Sequence, residues 1–408
     1  MAAERLIIRG LSTISPLGSS RKEVSQTLTL GRAKAQWLDA AEQTRPVFPL
    51  TASGMNLVEE LSSQARYQGL DRTTLLALTA ARQTFAALRG ERMELGCISI
   101  GSARGATNSL ERSIAQHLAK EGTLAADTSP TTTAGNTTSW IAQEYLEQEY
   151  LVQEDLRAPK SAHSNTIASI STSMTCTSAF HALLIATAFL RGGMASAALF
   201  GGAESCLTSY TVAQLEALRI YSRERSEWPC RPCASSEHSS NTLVLGEGAG
   251  TAILLGGSVA YLPGDMELLG IGWALEATPS ATGISEDGRG FQGAMLGALA
   301  GLPAGRVLDG VIMHAPGTSK GDEAELRAIE MVLGSVPLCS TKHLTGHTYG
   351  ASGMISLATA QVLLSEGGWS GFPYPARVAP LPFEAPRTLM INTAGFGGNA
   401  ISIVVGAL

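Results

Sequence analysis

Cysteine is scarce in this sequence, with six in 408 residues, at positions 97, 176, 206, 230, 233 and 339. That scatter is too thin for a disulfide framework, so free thiols are expected. Charge is also sparse at 16%, and the 29 Lys and Arg fall short of the 35 Asp and Glu. No basic run or RNA-binding motif offsets that balance, which excludes nucleic-acid binding as a class. An acidic protein partner would have to be met by local arginines rather than by the overall field. Long apolar runs are missing as well; each stops well short of the roughly 20 residues a membrane span needs. Near the amino end stands Leu6-Ile7-Ile8, a strand-like triplet, where a secretory leader would need a longer apolar run and a cleavage site. The expectation is a soluble, cytoplasmic protein with no membrane span and no nucleic-acid partner.

What the chain does have is apolar and small. It is 44% hydrophobic, with 44 glycines against 17 prolines, enough to bury a large core and to turn tightly between elements. Short β-branched runs alternate with longer helical stretches, the pattern of a mixed α/β fold with buried sheets. Strands are expected over 5–9, 97–101, 197–201, 242–245, 251–255, 268–273, 311–314, 389–392 and 400–405. Helices are expected over 73–88, 177–190, 323–333 and 353–364. A faint internal repeat overlays the helix ending at Arg191-Gly192-Gly193 on the one ending at Glu366-Gly367-Gly368, with Ala351 falling where Cys176 stands. It suggests two related halves that divide near 256–268, where Gly and Pro cluster.

Four stretches could carry chemistry. In the first, Ser171-Thr-Ser-Met-Thr-Cys176 leads straight into an apolar helix. Sulfur at a helix N-terminus is favoured as thiolate, although a buried structural cysteine is the plainer alternative. In the second, a strand ends at His314, a Gly-containing loop carries Thr318, and an acidic helix start holds Asp322 and Glu325. The third, Lys342-His-Leu-Thr-Gly-His347, sets a lysine and a histidine five apart in a loop of small residues able to approach a substrate closely. In the fourth, Asn392-Thr-Ala-Gly395-Phe396-Gly397-Gly398, glycines flank an aromatic residue after a strand. Each has a structural alternative: a hydrogen-bonded histidine, or a tight turn.

Together and in this order they resemble the β-ketoacyl-acyl-carrier-protein synthases, whose pattern is a cysteine before a long helix, His-Gly-Thr, Lys with Gly-His, then Gly-Phe-Gly-Gly. The resemblance begins at Ser15-Pro16-Leu17-Gly18. It runs on through Gly201-Gly202-Ala203-Glu204, Arg231-Pro232 and Gly246-Glu247-Gly248-Ala249-Gly250. Thiolases carry a second cysteine where this chain has Phe396, and synthases that prime from acyl-CoA carry asparagine where it has His347. Non-catalytic chain-length factors lack the cysteine. The set Cys176, His314 and His347 is that of the elongating enzymes.

The resemblance implies a thiolase-like fold of two βαβαβαββ halves, 1–258 and 259–408, layered α-β-α-β-α. It implies that Cys176 accepts the acyl chain as a thioester, and that His314 and His347 stabilise the enolate left when malonyl-carrier-protein loses CO₂. Backbone N–H groups of Cys176 and Phe396 would form the oxyanion hole, and Phe396 would act as a gate. Lys342 and Glu325 would balance charge, while Thr318, Gly395, Gly397 and Gly398 would shape the substrate loops. No cofactor is expected beyond the phosphopantetheine arm that carries the substrates. Acyl carrier protein is the expected partner, docking on Arg219, Arg223 and neighbouring Arg225, with Arg66 and Arg72 as a second basic set. A homodimer or a heterodimer with a related subunit is implied; the alternative role is that of a chain-length-factor-like scaffold.

Departures from the family's pattern are Cys233-Ala234 after Pro232, Ser240-Asn-Thr-Leu before Gly246-Glu247, and Pro316 after His314. They point to a specialised polyketide, polyene or aryl-polyene pathway rather than housekeeping fatty-acid synthesis. Three other features are set aside. Cys230-Arg-Pro-Cys233 has no second pair to make a metal site. Gly101-Ser-Ala-Arg-Gly105 faintly resembles a phosphate loop but lacks its Gly-Lys ending. His117, His163, His181 and His343 are read as structural or exposed.

Overall fold

The computed structural model describes residues 5–40, 43–88, 91, 93–119, 124–156, 167–235, 240–378 and 386–408; His163 lies outside them. The strands in chain order are β1 (Leu6–Ile14), β2 (Gln36–Ala40), β3 (Gln43–Phe48), β4 (Cys97–Gly101), β5 (Ala168–Thr172), β6 (Ala197–Glu204) and β7 (Leu245–Gly246). They continue as β8 (Gly248–Gly256), β9 (Met266–Leu275), β10 (Gly310–Ile312), β11 (Leu338–Cys339), β12 (Thr388–Gly395) and β13 (Asn399–Ala407). Ten of them run through one sheet in the order β11-β10-β12-β13-β9-β1-β8-β6-β4-β5, and β2, β3 and β7 form a small second sheet.

The large sheet reads as one pattern used twice. In β1-β8-β6-β4-β5 the first two contacts are antiparallel and the last two parallel. In β9-β13-β12-β10-β11 the same senses recur in the same order. The two sets meet at two residue pairs only, Ile7 with Glu267 and Ile8 with Met266. Strands buried on both faces need apolar residues at successive positions, and the near-continuous runs in β6, β8 and β13 supply them.

Alternate side chains then sort into layers. Leu6, Ile8, Phe200 and Leu254 from one set, with Ile391, Ile401 and Ile403 from the other, close on the helices Ser178–Arg191 and Ser352–Glu366 between them. Ile7, Ile98, Leu199 and Ile253 face outward onto the helix Arg72–Ala87. Leu269, Val311, Met390 and Val404 face outward onto the helices Arg289–Leu299 and Ser319–Leu333. The five layers implied by the family resemblance are present.

Three local expectations are corrected. Only Leu245 of 242–245 is in a strand; Thr242 instead donates its N–H to the Gly317 carbonyl at 2.7 Å, tying two loops together. The strand expected to reach His314 ends at Ile312, because the N–H groups of His314 and Ala315 turn to the Glu325 carboxylate. The repeat is one residue out of step at its start. The short helical turns Thr175–Thr177 and Tyr349–Ala351 precede the two central helices, each opening on a residue with left-handed φ. Gly350, not Ala351, therefore stands in the place of Cys176. The hairpin of β2 and β3, strand β5 and the helix Asn136–Leu156 were not anticipated.

Where the two sets meet, Arg9 reaches Asp265 just before β9. Its Nε and Nη2 lie 3.2 and 2.6 Å from the two carboxylate oxygens, and both side chains are buried. Removing one member of such a pair leaves an uncompensated buried charge and costs about 3–5 kcal/mol. Arg9→Ala is expected to lower the urea midpoint accordingly, and an unchanged midpoint would show that the clamp carries no stability.

Candidate active site

Cys176 lies in the short helical turn between β5 and the helix Ser178–Arg191. Thr175 before it holds φ at 52°, a left-handed backbone unusual for a β-branched residue. Ser178 keeps the turn closed: its Oγ accepts from Met174 N–H at 2.9 Å and donates to the Thr175 carbonyl at 2.6 Å. The end of β12 passes directly alongside. A Cβ on Gly395 would stand 1.8 Å from Thr175 Oγ1, so only glycine fits there. This close approach is what places the Phe396 loop beside the sulfur.

His347 arrives from the other repeat. Its N–H donates to Val244 at 2.7 Å and its carbonyl accepts from Gly246 at 3.0 Å, fixing the segment against β7. A Cβ on Gly246 would meet the Thr345 carbonyl at 1.9 Å, so the first glycine of Gly246-Glu247-Gly248 is the seat of the histidine loop. In that seat His347 Nε2 lies 3.0 Å from Cys176 Sγ. The His314 ring sits edge-on to His347 with centroids 5.1 Å apart, and Tyr349 stacks on the His347 ring at 5.0 Å. Cys176, His314, Thr318, His347, Gly395 and Phe396 line one cavity of about 820 Å³ that also reaches Arg219.

Charge is buried around this trio. Glu325 accepts from His314 N–H at 2.8 Å, Ala315 N–H at 2.7 Å and Asn392 Nδ2 at 3.1 Å. Its link to Lys342 is a through-space attraction, in keeping with the charge balance expected of the two, and among the described residues no ion pair joins them. Asp322 accepts from Cys233, Gly317 and Thr318 N–H groups, and burial pushes it up to about 7. Glu204 accepts from Ala103, Arg104 and Gly350 N–H groups, and burial likewise pushes it up to about 7. The loop that resembled a phosphate cradle thus holds an internal carboxylate.

Burial drives His314 and His347 well below the usual histidine range, with the Lys342 charge adding to it, so both are neutral. Lys342 is itself lowered by burial and partly restored by Glu325. The expected resting thiolate is not what the site holds. Burial pushes the Cys176 thiol up to about 12, outweighing the help from Lys342.

The remaining candidates divide. Cys230 points its thiol at the Pro316 carbonyl and Cys233 at Met313 Sδ, so the two diverge. His181 Nδ1 binds Thr177 at 3.0 Å, and buried His343 sits among Trp228, Phe372 and Tyr374. Arg219 is exposed at the cavity rim, and Arg223 is exposed with only a 3.8 Å approach to Glu216. Arg72 is instead bound to buried Glu247 by two 2.7 Å hydrogen bonds, and Arg66 is paired with Glu147 and packed on Tyr67 and Trp140. Arg72 is thus taken up by a buried carboxylate, whereas Arg66 stays exposed beside an exposed Glu147. Sequence reasoning assigned no role to Glu204, Asp322 or Tyr349. Their only signal was a position inside, or within a few residues of, a motif.

The layered fold and the cysteine–histidine cleft define the class of thiolase-like condensing enzymes. A family model described as β-ketoacyl synthase, N-terminal domain, matches residues 167–260, and one described as β-ketoacyl synthase, C-terminal domain, matches residues 266–370. The chain belongs to the β-ketoacyl synthase family and is an acyltransferase that forms carbon–carbon bonds. The tetracenomycin polyketide synthase ketoacyl synthase alpha subunit of Streptomyces glaucescens is 26% identical, over 90% of this chain and 86% of that protein. The 3-oxoacyl-acyl-carrier-protein synthase 2 of Vibrio cholerae is 31% identical, over 58% of this chain and 61% of its own length. A β-ketoacyl synthase from Burkholderia phymatum shares the fold at a TM-score of 0.80 and 21% identity, over 99% of this chain and 100% of that one.

A thiol held neutral reacts slowly with electrophiles. Alkylation of Cys176 by iodoacetamide, followed by peptide mass, is expected to rise about tenfold per pH unit from 7 to 10. A plateau near the ordinary thiol value of about 8.5 would show that burial does not hold the sulfur protonated.

Proposed function

We propose that Cys176 carries the acyl chain, that His314 and His347 stabilise the malonyl-derived enolate, and that the product extends a polyketide or polyene chain on acyl carrier protein. The observation that carries this reading is the 3.0 Å contact between Cys176 Sγ and His347 Nε2, with His314 beside it in the same cavity. Donation from a neutral Nε2–H stabilises negative sulfur as it forms, and Lys342 and the helix N-terminus add to that. The sulfur attacks the incoming acyl thioester, and the thiol proton leaves with the departing phosphopantetheine thiolate. Once the sulfur is acylated, Nε2–H of His347 is free to turn, with that of His314, to the malonyl thioester oxygen. Loss of CO₂ leaves an enolate on that oxygen. Its carbon attacks the acyl carbonyl, whose oxyanion is received by the N–H groups of Cys176 and Phe396. Collapse expels the Cys176 sulfur as thiolate, which takes a proton from solvent to restore the thiol, and leaves a β-ketoacyl chain on the carrier. No bound cofactor enters this scheme.

The pathway reading rests on Pro316 and Asn241 at the cavity and on the similarity to the Streptomyces subunit. The repeated strand order supports reading 1–258 and 259–408 as two copies of one unit. Strand β5, the last of its set, offers an edge on which a second copy or a related subunit could continue the sheet. A chain-length-factor-like scaffold has no use for the sulfur–imidazole contact, so the enzymatic role is preferred.

Cys176→Ala is expected to gain no acyl mass from an acyl-pantetheine thioester and to lose condensation. His314→Ala should still be acylated, while malonyl decarboxylation falls by about 10²–10³, the usual loss of one such donor. His347→Ala should slow both steps. Decarboxylation by His314→Ala at the parental rate would overturn its role.

Carrier docking is assigned to Arg219 and Arg223. Among the described residues no carboxylate pairs with Arg219, and Asn241 Nδ2 holds its carbonyl at 2.9 Å, fixing it at the rim. Arg219→Glu is expected to raise KM for carrier-bound substrate and leave a short pantetheine thioester unaffected. Added salt should weaken only the carrier reaction, since exposed charges are screened beyond about 8–10 Å. Equal loss on both substrates would place Arg219 in the fold instead.

A further inference from the structure

Two walls of the cavity come from segments far apart in the chain. One is the rim turn at Arg219, just after the helix Ser209–Ala217; the other is the loop 316–319, which leads into the helix Ser319–Leu333. Asn241 lines the same cavity and stands between them. Its Nδ2–H donates to the Arg219 carbonyl at 2.9 Å, and its Oδ1 accepts from the Ser319 N–H at 3.0 Å. A single side chain therefore bridges the two walls.

The ends of this bridge differ. On the inner wall Asp322 accepts from the Gly317 and Thr318 N–H groups at 3.1 and 3.2 Å. The Gly317 carbonyl accepts from Thr242 N–H at 2.7 Å, and Thr242 Oγ1 accepts from Arg231 N–H at 3.0 Å. The backbone beside Asn241 is thus anchored independently of the Asn241 side chain. The rim end is exposed and strained. Arg219 N–H returns to the Glu216 carbonyl at 2.9 Å and Ile220 N–H to that of Leu215 at 3.2 Å. That pattern closes a helix on a left-handed residue, usually glycine, and Arg219 fills the place with φ at 58°. Such a conformation persists only where its surroundings hold it, and Asn241 ties it to the anchored wall. Asparagine suits the task because a neutral amide donates and accepts at once. Aspartate would turn an oxygen on the Arg219 carbonyl, and leucine would make neither bond.

We infer that Asn241 is a positioning residue that couples carrier docking to the catalytic cleft, by fixing Arg219 against the wall that carries Thr318. This rests on the assignment of docking to Arg219 above and deepens it. A carrier seated on a fixed rim presents its thioester to Cys176 already oriented. A pantetheine thioester free in solution enters without a seat on the rim, so it depends less on the bridge.

The test is the second-order rate at which Cys176 gains acyl mass from octanoyl-acyl-carrier-protein, divided by the rate from octanoyl-pantetheine. Asn241→Leu should lower this ratio by about 10- to 100-fold, the scale of an ångström of misplacement, with the pantetheine rate falling less than the carrier rate. Asn241→Ala removes the same two bonds without adding bulk and should do likewise. Arg219→Ala should also lower the ratio, and adding Asn241→Leu to it should lower the ratio little further, since a residue acting through Arg219 has nothing left to position. The inference is overturned by a parental ratio in both folded Asn241 variants, or by an equal fall on both thioesters, which would mark Asn241 as a support for the cleft itself. A full further fall in the Arg219→Ala background overturns it too. If Arg219→Ala alone keeps the parental ratio, the docking assignment fails and takes this inference with it; if Arg219→Ala lowers the ratio and the Asn241 variants do not, docking stands and only this inference falls. No acyl mass on Cys176 from either thioester would remove the ketosynthase reading beneath both.

Discussion

The site depends on one contact, Cys176 Sγ against His347 Nε2 at 3.0 Å. Neither residue could make it from a regular element. Each lies in or beside a short helical turn that leads into a central helix and opens on a residue forced to positive φ, Thr175 in one and Tyr349 in the other. Strain of this kind persists only where the surroundings over-determine it. Here the surroundings are two glycines whose missing Cβ atoms let backbone pass almost in contact, Gly395 at Thr175 and Gly246 at Thr345. The duplicated strand order puts the two turns in equivalent positions, so that the central helices present them to a single cavity.

The second constraint is electrostatic. Lys342, Glu325, Asp322 and Glu204 are all buried close to the trio, an expensive arrangement unless every charge is matched. The carboxylates are satisfied mainly by main-chain N–H groups, which fix loops in place instead of spending side-chain charge. Glu325 in particular ends β10 at Ile312 by drawing the next amides to itself, which delivers His314 to the cavity. The unspent positive field of Lys342 then falls on the histidines and the sulfur. It helps keep both imidazoles neutral and partly offsets the burial that holds the thiol protonated. Neutral histidines can donate to an enolate without becoming charged themselves, so the same burial that makes the sulfur reluctant suits the later step.

Arginines illustrate how exposure separates structure from function. Arg66, Arg72 and Arg219 could not be told apart in the sequence as docking candidates, Arg66 and Arg219 standing beside apolar or aromatic neighbours and Arg72 between Asp71 and Thr73. In the fold Arg72 meets the carboxylate of the glycine-rich Gly246–Gly250 stretch, Arg66 lies on two aromatic rings beside Glu147, and Arg219 stands on the cavity rim. Of the three, Arg219 alone is exposed at the cavity and has no carboxylate pairing among the described residues.

Much was legible from the residues alone. The short apolar runs of β1, β4, β6, β8, β12 and β13 and the apolar helices after Cys176 and Gly350 declare themselves as near-continuous apolar stretches, because elements buried on every side must be apolar throughout. Cys176, His314, Lys342 and His347 could be singled out because each sits among small residues where an element ends, and backbone there can approach a substrate. The amphipathic and polar pieces, such as the β2–β3 hairpin and β5, carry weak patterns because they are partly exposed. What the sequence determined by itself was therefore the set of reactive groups, their order, and the α/β layering that would carry them. Only the tertiary structure decided that the sulfur rests as a thiol, that Glu325 serves the main chain rather than pairing directly with Lys342, and which arginines are free. These depend on desolvation and on distances between segments far apart in the chain, and neither is written in local order.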